Sequence, residues 1–382
     1  MHEELYKKAL EMHAKYHGKI ETVSKAKLDS LDTLSWAYTP GVAEVCREIV
    51  RDPSLAREYT LKRNTVAIVT DGSAVLGLGN LGALASIPVM EGKAAIFKEF
   101  AGVDAFPICL DTQDIEEIIK AVKQIAPVFG GINLEDISAP RCFEIEERLR
   151  KELNIPVMHD DQWGAATVAL AGMINSLKLS GLEKENARVV INGVGAAGVA
   201  TARLFFAYGV KNIIFCDRHG IIHHGEEGLT IQKKELLEKS SWAHEAGTLA
   251  DAVKGANVFI GLSVPNVLTG EMVRTMADKP IIFALANPTP EIMPDEAREA
   301  GAFIVATGRS DFPNQLNNSL VFPGAFKGML ENNISQFKTE MFLDIAEALA
   351  NSVTDLSPQK ILPSMFDKEV VKIVSEVVKK FK

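Results

Sequence analysis

The sequence predicts an α/β fold in two domains. Three observations carry this reading. The chain has 382 residues, of which 47% are apolar, which is more than one ordinary core holds and enough for two or three. Apolar runs alternate with helical patterns along most of the chain, and continuous apolar strands between helices imply parallel sheets covered on both faces. A glycine-rich turn separates one such run from the helix after it, at residues 193–198.

In chain order, TVAIVT (65–70), AAIF (94–97), AFPICL (105–110) and IPVM (155–158) read as buried strands. DIEEIIKAVKQIA (114–126) and PRCFEIEERLRKEL (140–153) read as amphipathic helices between them. A second series opens near residue 187. ARVVING (187–193) is a strand, AAGVATARLFFAYG (196–209) a helix and KNIIFCD (211–217) the next strand. ANVFIGLS (256–263), KPIIFALAN (279–287) and AFIVATG (302–308) follow as further strands. The helix that starts near Trp163 joins the two series, which puts the boundary within 155–165 and the domains at 1–160 and 161–382. DKEVVKIVSEVVKKF, at the C-terminal end, is an amphipathic helix whose partner the sequence leaves open.

Composition excludes several function classes. The net charge of -9, with no basic cluster, argues against a nucleic-acid or anionic-membrane surface. The first residues, MHEELYKKALEMHAKYHGK, are polar and mixed in charge, unlike a signal peptide, and no apolar run approaches the ~20 residues of a membrane helix. Cys46, Cys109, Cys142 and Cys216 are scattered, which fits reduced thiols rather than a disulfide framework or a zinc site. The expectation is a soluble, cytoplasmic protein that acts on a small molecule.

INGVGAAG (191–198) spaces Gly193, Gly195 and Gly198 as GxGxxG, between a strand and a helix, with Asp217 at the end of the following strand. That context makes it a fingerprint of a doubly wound, Rossmann-type dinucleotide-binding domain. Gly193 permits the tight turn, Gly195 lets the backbone approach a pyrophosphate, and Gly198 lets helix and strand pack closely. Ala196 and Ala197 open the helix, whose free amides and positive dipole end face the phosphates. Asp217 is placed for the ribose hydroxyls and favours NAD, while Arg218 and His219 leave NADP open.

Glu135 and Asp136 in INLEDISAP, and Asp160 and Asp161 in VMHDDQWG, form two acidic pairs at strand ends. In parallel sheets those ends line the ligand crevice. Buried adjacent carboxylates repel each other unless a positive charge sits between them. Hard oxygen ligands without cysteine or paired histidines select Mg²⁺ or Mn²⁺. Either pair alone also reads as helix capping, and His159 reads as a structural residue.

Tyr38 in AYTPGVAEVC precedes a Pro-Gly turn, and Lys93 follows the glycine-rich TDGSAVLGLGNLG and stands just before the AAIF strand. With YTPGV, TDGSAVLGLGNLG, MEGKA, NLEDI, HDDQ, GVGAAG, ANPTPE and NNSLVFPG in this order, nearly the whole chain resembles malic enzyme of the compact prokaryotic type. The resemblance implies an N-terminal α/β substrate and metal domain ahead of the NAD(P) domain, and a homodimer or higher homo-oligomer. By that resemblance Tyr38 is the general acid and Lys93 the general base, which Asp160 pairs with. Glu135, Asp136 and Asp161 are the ligands of the divalent cation. Asn287 in ANPTP, also expected beside the cofactor, and Asn317 and Asn318 are the malate contacts. Trp163 and Ala165 stand where small members often carry histidine and threonine. Ala74 stands where large members carry an arginine for the substrate carboxylate, so carboxylate recognition here differs.

The implied reaction is oxidative decarboxylation of malate to pyruvate and CO₂ with reduction of NAD(P). It requires Lys93 to have a lowered pKa, towards which burial and a neighbouring cation push and against which Asp160 pushes. Alternatives at this point are a malolactic enzyme, a dehydrogenase that stops at the keto acid, and an NAD(H) sensor without turnover.

Overall fold

The computed structural model describes residues 2–382, with side chains from residue 4. Four helices lead the chain: α1 (His2–Tyr16), α2 (Leu31–Ala37), α3 (Val42–Arg51) and α4 (Leu55–Tyr59). None of the described side chains before Thr65 is buried. The first sheet follows. Its strands β1 (Thr65–Thr70), β2 (Asp104–Cys109), β3 (Gly131–Leu134) and β4 (Val157–His159) alternate with α5 (Gly82–Ile96), α6 (Ile115–Ile125) and α7 (Arg141–Glu152). All pairings are parallel, in the order β2-β1-β3-β4. β1 is a continuous apolar run because helices cover both of its faces.

One expected strand is corrected. AAIF (94–97) is the end of α5 and the start of a wide turn over Phe97–Ala101. Four apolar residues in a row cannot distinguish a strand from a buried helix face, and the preceding Met-Glu-Gly-Lys carries the helix on. Lys93 therefore sits inside a helix, not ahead of a strand.

α8 (Asp160–Ser180) leads out of the first sheet and is buried over almost its whole length, its polar Asn175 and Ser176 satisfied by hydrogen bonds to backbone carbonyls. The second sheet contains β5 (Arg188–Asn192), β6 (Asn212–Asp217), β7 (Gly220–Ile221), β8 (Val258–Gly261), β9 (Ile281–Ala284) and β10 (Ile304–Thr307). Between them lie α9 (Ala196–Tyr208), α10 (Ile231–Leu237), α11 (Leu249–Val253), α12 (Gly270–Arg274) and α13 (Pro294–Glu299). The order is β10-β9-β8-β5-β6-β7, parallel except for the two-residue β7. Strand order reverses around β5, which makes the carboxyl end of β5 the ligand crevice of the doubly wound sheet.

The chain closes with α14 (Phe322–Asn332), α15 (Thr339–Asn351) and α16 (Glu369–Lys379). α16 packs on α14, where Gly324 and Gly328 leave room for Val374 and Val378. α14 in turn sets Phe322 and Phe326 against Phe97 beside the first sheet, with ring centroids 4.8 and 5.6 Å apart. One apolar core runs from the first sheet through α8 into the second, and a smaller one covers the far face of the second sheet. Among the described residues no helix is long and apolar enough to cross a membrane, and all four cysteines are free.

Candidate active site

β1, β3 and β4 are parallel neighbours, so their carboxyl ends emerge at one edge and deliver Asp71, the Glu135–Asp136 pair and the Asp160–Asp161 pair together. Glu135, Asp136 and Asp161 each offer a carboxylate oxygen, all within 4.8 Å of one another. Asp136 adopts a left-handed backbone, φ +52°, which a non-glycine residue rarely does. It is held there from both sides: its N–H donates to Asp161 Oδ2 at 2.8 Å, and its carbonyl accepts from the Ala74 N–H at 2.9 Å. Asp136 Oδ2 is buried and has no hydrogen-bond partner. An orphaned oxygen beside two further carboxylates is costly for the chain alone and suits a hard divalent cation, so these residues fit Mg²⁺ or Mn²⁺.

Lys93 lies between the two pairs. Its ammonium bonds to Glu135 Oε2 and Asp160 Oδ2 and stands 4.5 Å from the centre of the Phe322 ring. Asn318 Nδ2 donates to Asp160 Oδ2 at 3.1 Å, and Asn133 Nδ2 to Glu135 Oε2 at 2.9 Å. Gly164, one turn along α8, is required by this arrangement, since a Cβ there would lie 2.0 Å from Asp160 Oδ1. Burial alone would lower the Lys93 pKa, but the charges of Asp160, Glu135 and Asp161 outweigh it and hold the ammonium above its ordinary range. The expected lowering is thus reversed in the chain alone, because Glu135 joins Asp160 on the same nitrogen. Burial, reinforced by the neighbouring carboxylates, pushes Glu135 well above the ordinary carboxylate range and Asp136 up to about 8.

Sequence reasoning did not pick out Glu146. It is buried on α7 and accepts from the His159 N–H at 3.0 Å, Gln162 Nε2 at 3.0 Å and Trp163 Nε1 at 3.2 Å. Trp163 also stacks on Phe342, with centroids 4.9 Å apart. The available signal was spacing: Glu146 lies midway between Phe143 and Leu149 at three-residue intervals, on the apolar face of its helix.

The glycine-rich turn after β5 is closely packed. A Cβ on Gly193 would lie 2.3 Å from the Leu262 carbonyl, and one on Gly198 would lie 2.0 Å from the Gly193 carbonyl. Gly195 faces open space at the start of α9, where Ala196 and Ala197 present the first turn, so the cradle fits a pyrophosphate. Asp217 borders an adjoining cavity of about 400 Å³ with Gly193, Arg218, Lys233 and Ser263. Lys233 Nζ bonds to Asp217 at 2.7 Å and the His219 N–H at 2.9 Å. Burial opposes the Asp217 charge, but these two donors outweigh it and hold the carboxyl below its ordinary range. The cation on Asp217 is Lys233, which the sequence reading did not single out.

The two halves meet beside the carboxylates. Gly77, in the glycine-rich turn before α5, lies against the Asn287 carbonyl in the loop after β9. Asn318 reaches Asp160, whereas Asn317 is used locally, its Oδ1 capping the Ser319 N–H at 2.9 Å. Tyr38 stands apart: it ends α2, 68% exposed, and makes no hydrogen bond or ring contact with Lys93 or the carboxylates among the described residues.

Comparison with known proteins identifies the family of the chain. The malic enzyme N-terminal domain model matches residues 17–150, and the malic enzyme NAD binding domain model matches residues 163–381. The chain is 52% identical over 379 residues to the bifunctional malic/malolactic enzyme of Bacillus subtilis, covering 98% of this chain and 92% of that protein. It is 54% identical over 363 residues to the NAD-dependent malic enzyme of Geobacillus stearothermophilus, covering 94% and 76%. The crystal structure of the NAD-dependent malic enzyme of Thermotoga maritima superposes with a TM-score of 0.94 at 50% identity, over 97% of this chain and 98% of that one. This chain belongs to the malic enzyme family, whose members oxidatively decarboxylate malate with NAD or NADP and a divalent cation.

Proposed function

We propose that Lys93, Tyr38 and the acidic cluster carry the oxidative decarboxylation of malate in this chain, with NAD preferred and NADP accepted. The observation behind this reading is the lysine held between Glu135 and Asp160 beside an orphaned Asp136 oxygen. Glu135, Asp136 and Asp161 would hold Mg²⁺ or Mn²⁺, which when bound supplies Lewis-acid stabilisation of negative charge on the C2 oxygen of malate. Lys93 takes the C2 hydroxyl proton, and Asp160, fixed by Asn318, keeps its nitrogen aimed. Glu135, if engaged as a ligand, would hold the Lys93 ammonium less strongly, which would bring the lysine towards a base. The Gly193–Gly198 cradle orients the dinucleotide that accepts hydride from C2. Tyr38 protonates C3 after CO₂ departs. Asp217 favours the free ribose hydroxyls of NAD, and Lys233, Arg218 and His219 offset its charge enough to admit a 2′-phosphate.

Tyr38 is exposed on a leading segment that displays Leu10, Val23, Leu31, Trp36 and Val50 to solvent. Apolar exposure on this scale marks an interface. A homodimer that covers this segment, with Tyr38 entering the neighbouring subunit's site, accounts for both observations.

The test is reduced-nicotinamide formation from malate with Mn²⁺, compared for NAD and NADP, with pyruvate measured in the same tube. Equimolar NADH and pyruvate, abolished by chelator, is the expected outcome, and full turnover in chelated solution would refute it. The name of the Bacillus subtilis relative favours a second activity, the malolactic one, which lactate formation without free NADH would reveal.

A further inference from the structure

We infer that His159 is a positioning residue for Asp161, with its ring tautomer fixed by Glu146 through Gln162. The inference rests on the proposed metal ligands. Glu146 accepts from an indole N–H and a backbone N–H, which can only donate, so its carboxylate is the acceptor and the Gln162 atom facing it at 3.0 Å is the amide nitrogen. That NH₂ has two hydrogens. One goes to Glu146 Oε2, and the other points to His159 Nδ1 at 3.2 Å. Nδ1 is then the lone-pair nitrogen, and the ring proton sits on Nε2.

His159 is fully buried, and Nε2 makes no hydrogen bond of full geometry among the described residues, although Asp161 Oδ2 is 3.3 Å away. Buried orphan donors call for a reason. Here the reason is the division of labour on Asp161. Oδ2 already accepts from the Asp136 N–H at 2.8 Å, and His159 Nε2 lies 3.3 Å from the same oxygen, short of a hydrogen bond in the chain alone. With Asp161 engaged as a metal ligand, the His159 N–H would close on Oδ2 as its second donor, leaving Oδ1 as the ligand atom and setting the plane of the carboxylate. Histidine in the other tautomer would present a lone pair to Oδ2 and repel it. Trp163 donates to the same Glu146 oxygen as Gln162 and keeps that carboxylate from turning.

The test uses the full-length protein. Nitrogen-15 NMR of histidine-labelled protein reads the tautomer directly: a pyridine-type Nδ1 and a pyrrole-type Nε2 are expected for His159, with the distinction lost in Gln162→Leu. Mn²⁺ affinity, followed by electron paramagnetic resonance, should fall about 10–100-fold in His159→Leu, as it does when a partner of a metal ligand is removed. His159→Gln, which restores an N–H near the Nε2 position, should bind Mn²⁺ close to wild type. NAD affinity should be unchanged in all three variants. A proton on Nδ1 in wild type, or wild-type Mn²⁺ affinity in a folded His159→Leu, overturns the inference. If His159→Leu does not melt cooperatively, the NMR and Gln162→Leu decide. Asp161→Asn separates the two levels: if it too binds Mn²⁺ normally, the metal assignment fails, whereas if it alone weakens binding, only the positioning role fails.

Discussion

Asp136 shows what the site costs the folded chain. Burial comes first and the Asp161 charge second in pushing its carboxyl up to about 8, far above the ~4 of an unfolded aspartate. Between those values the native state binds a proton that the unfolded state has released. The contribution to stability is therefore fully present below about pH 4 and is lost as the pH rises towards 8. Glu135 and Asp160 are raised in the same direction and add to the slope. Metal-free protein should melt at progressively lower temperature from pH 5 to pH 8.5, and Asp136→Asn should flatten that slope. Circular dichroism at several pH values in chelator checks both, and parallel slopes for the two proteins would contradict the assignment. Ligation requires the charged carboxylate, so Mn²⁺ affinity measured by calorimetry should rise across the same interval, with proton release.

The start of α8 joins the site to the fold. Elsewhere in an exposed helix, glycine to alanine stabilises by about 1 kcal/mol. Gly164→Ala should instead force the Asp160 carboxylate off Lys93, because the new Cβ falls 2.0 Å from Oδ1. Turnover should drop on the order of 10²-fold, the usual consequence of a misplacement near 1 Å, with NAD affinity retained. Steady-state kinetics beside a cofactor titration checks it, and undiminished turnover would show that α8 tolerates the shift. Helices and strands were legible where the sequence has a period or a turn signal. TVAIVT and DIEEIIKAVKQIA fall within a residue of β1 and α6, and the glycine spacing located the crevice after β5. AAIF was misread because four apolar residues have no period, and only the tertiary packing of α5 against β2 decides them. The acidic pairs were visible as neighbours in sequence, and Glu146 had a spacing signal, but Glu135 on Lys93 and Lys233 on Asp217 are long-range pairings of ordinary charged residues, which no local pattern announces.

Across the whole molecule, the C-terminal helices and the leading helices raise the same question of what completes a site. The former answer it within the chain, since α14 carries Phe322 over Lys93. The leading segment leaves it unanswered, because Tyr38 stays in solvent and none of the described side chains before Thr65 is buried. If a second copy supplies the missing contact, activity becomes a property of the pair, and two defects on different subunits must complement. Tyr38→Phe and Lys93→Ala homodimers should each be nearly inactive. A hybrid dimer, co-expressed with two tags and purified through both, has one site combining the intact Lys93 of one subunit with the intact Tyr38 of the other. The second site carries both defects. The hybrid should therefore recover about half of the wild-type turnover per dimer, as an isologous pair with shared sites requires. If Tyr38 served its own subunit, both sites of the hybrid would carry one defect each and the hybrid would be as inactive as its parents. Dilution provides the companion measurement: wild-type specific activity should fall as concentration passes below the dimer dissociation constant, because a monomer has Lys93 and its carboxylates but no acid to protonate C3.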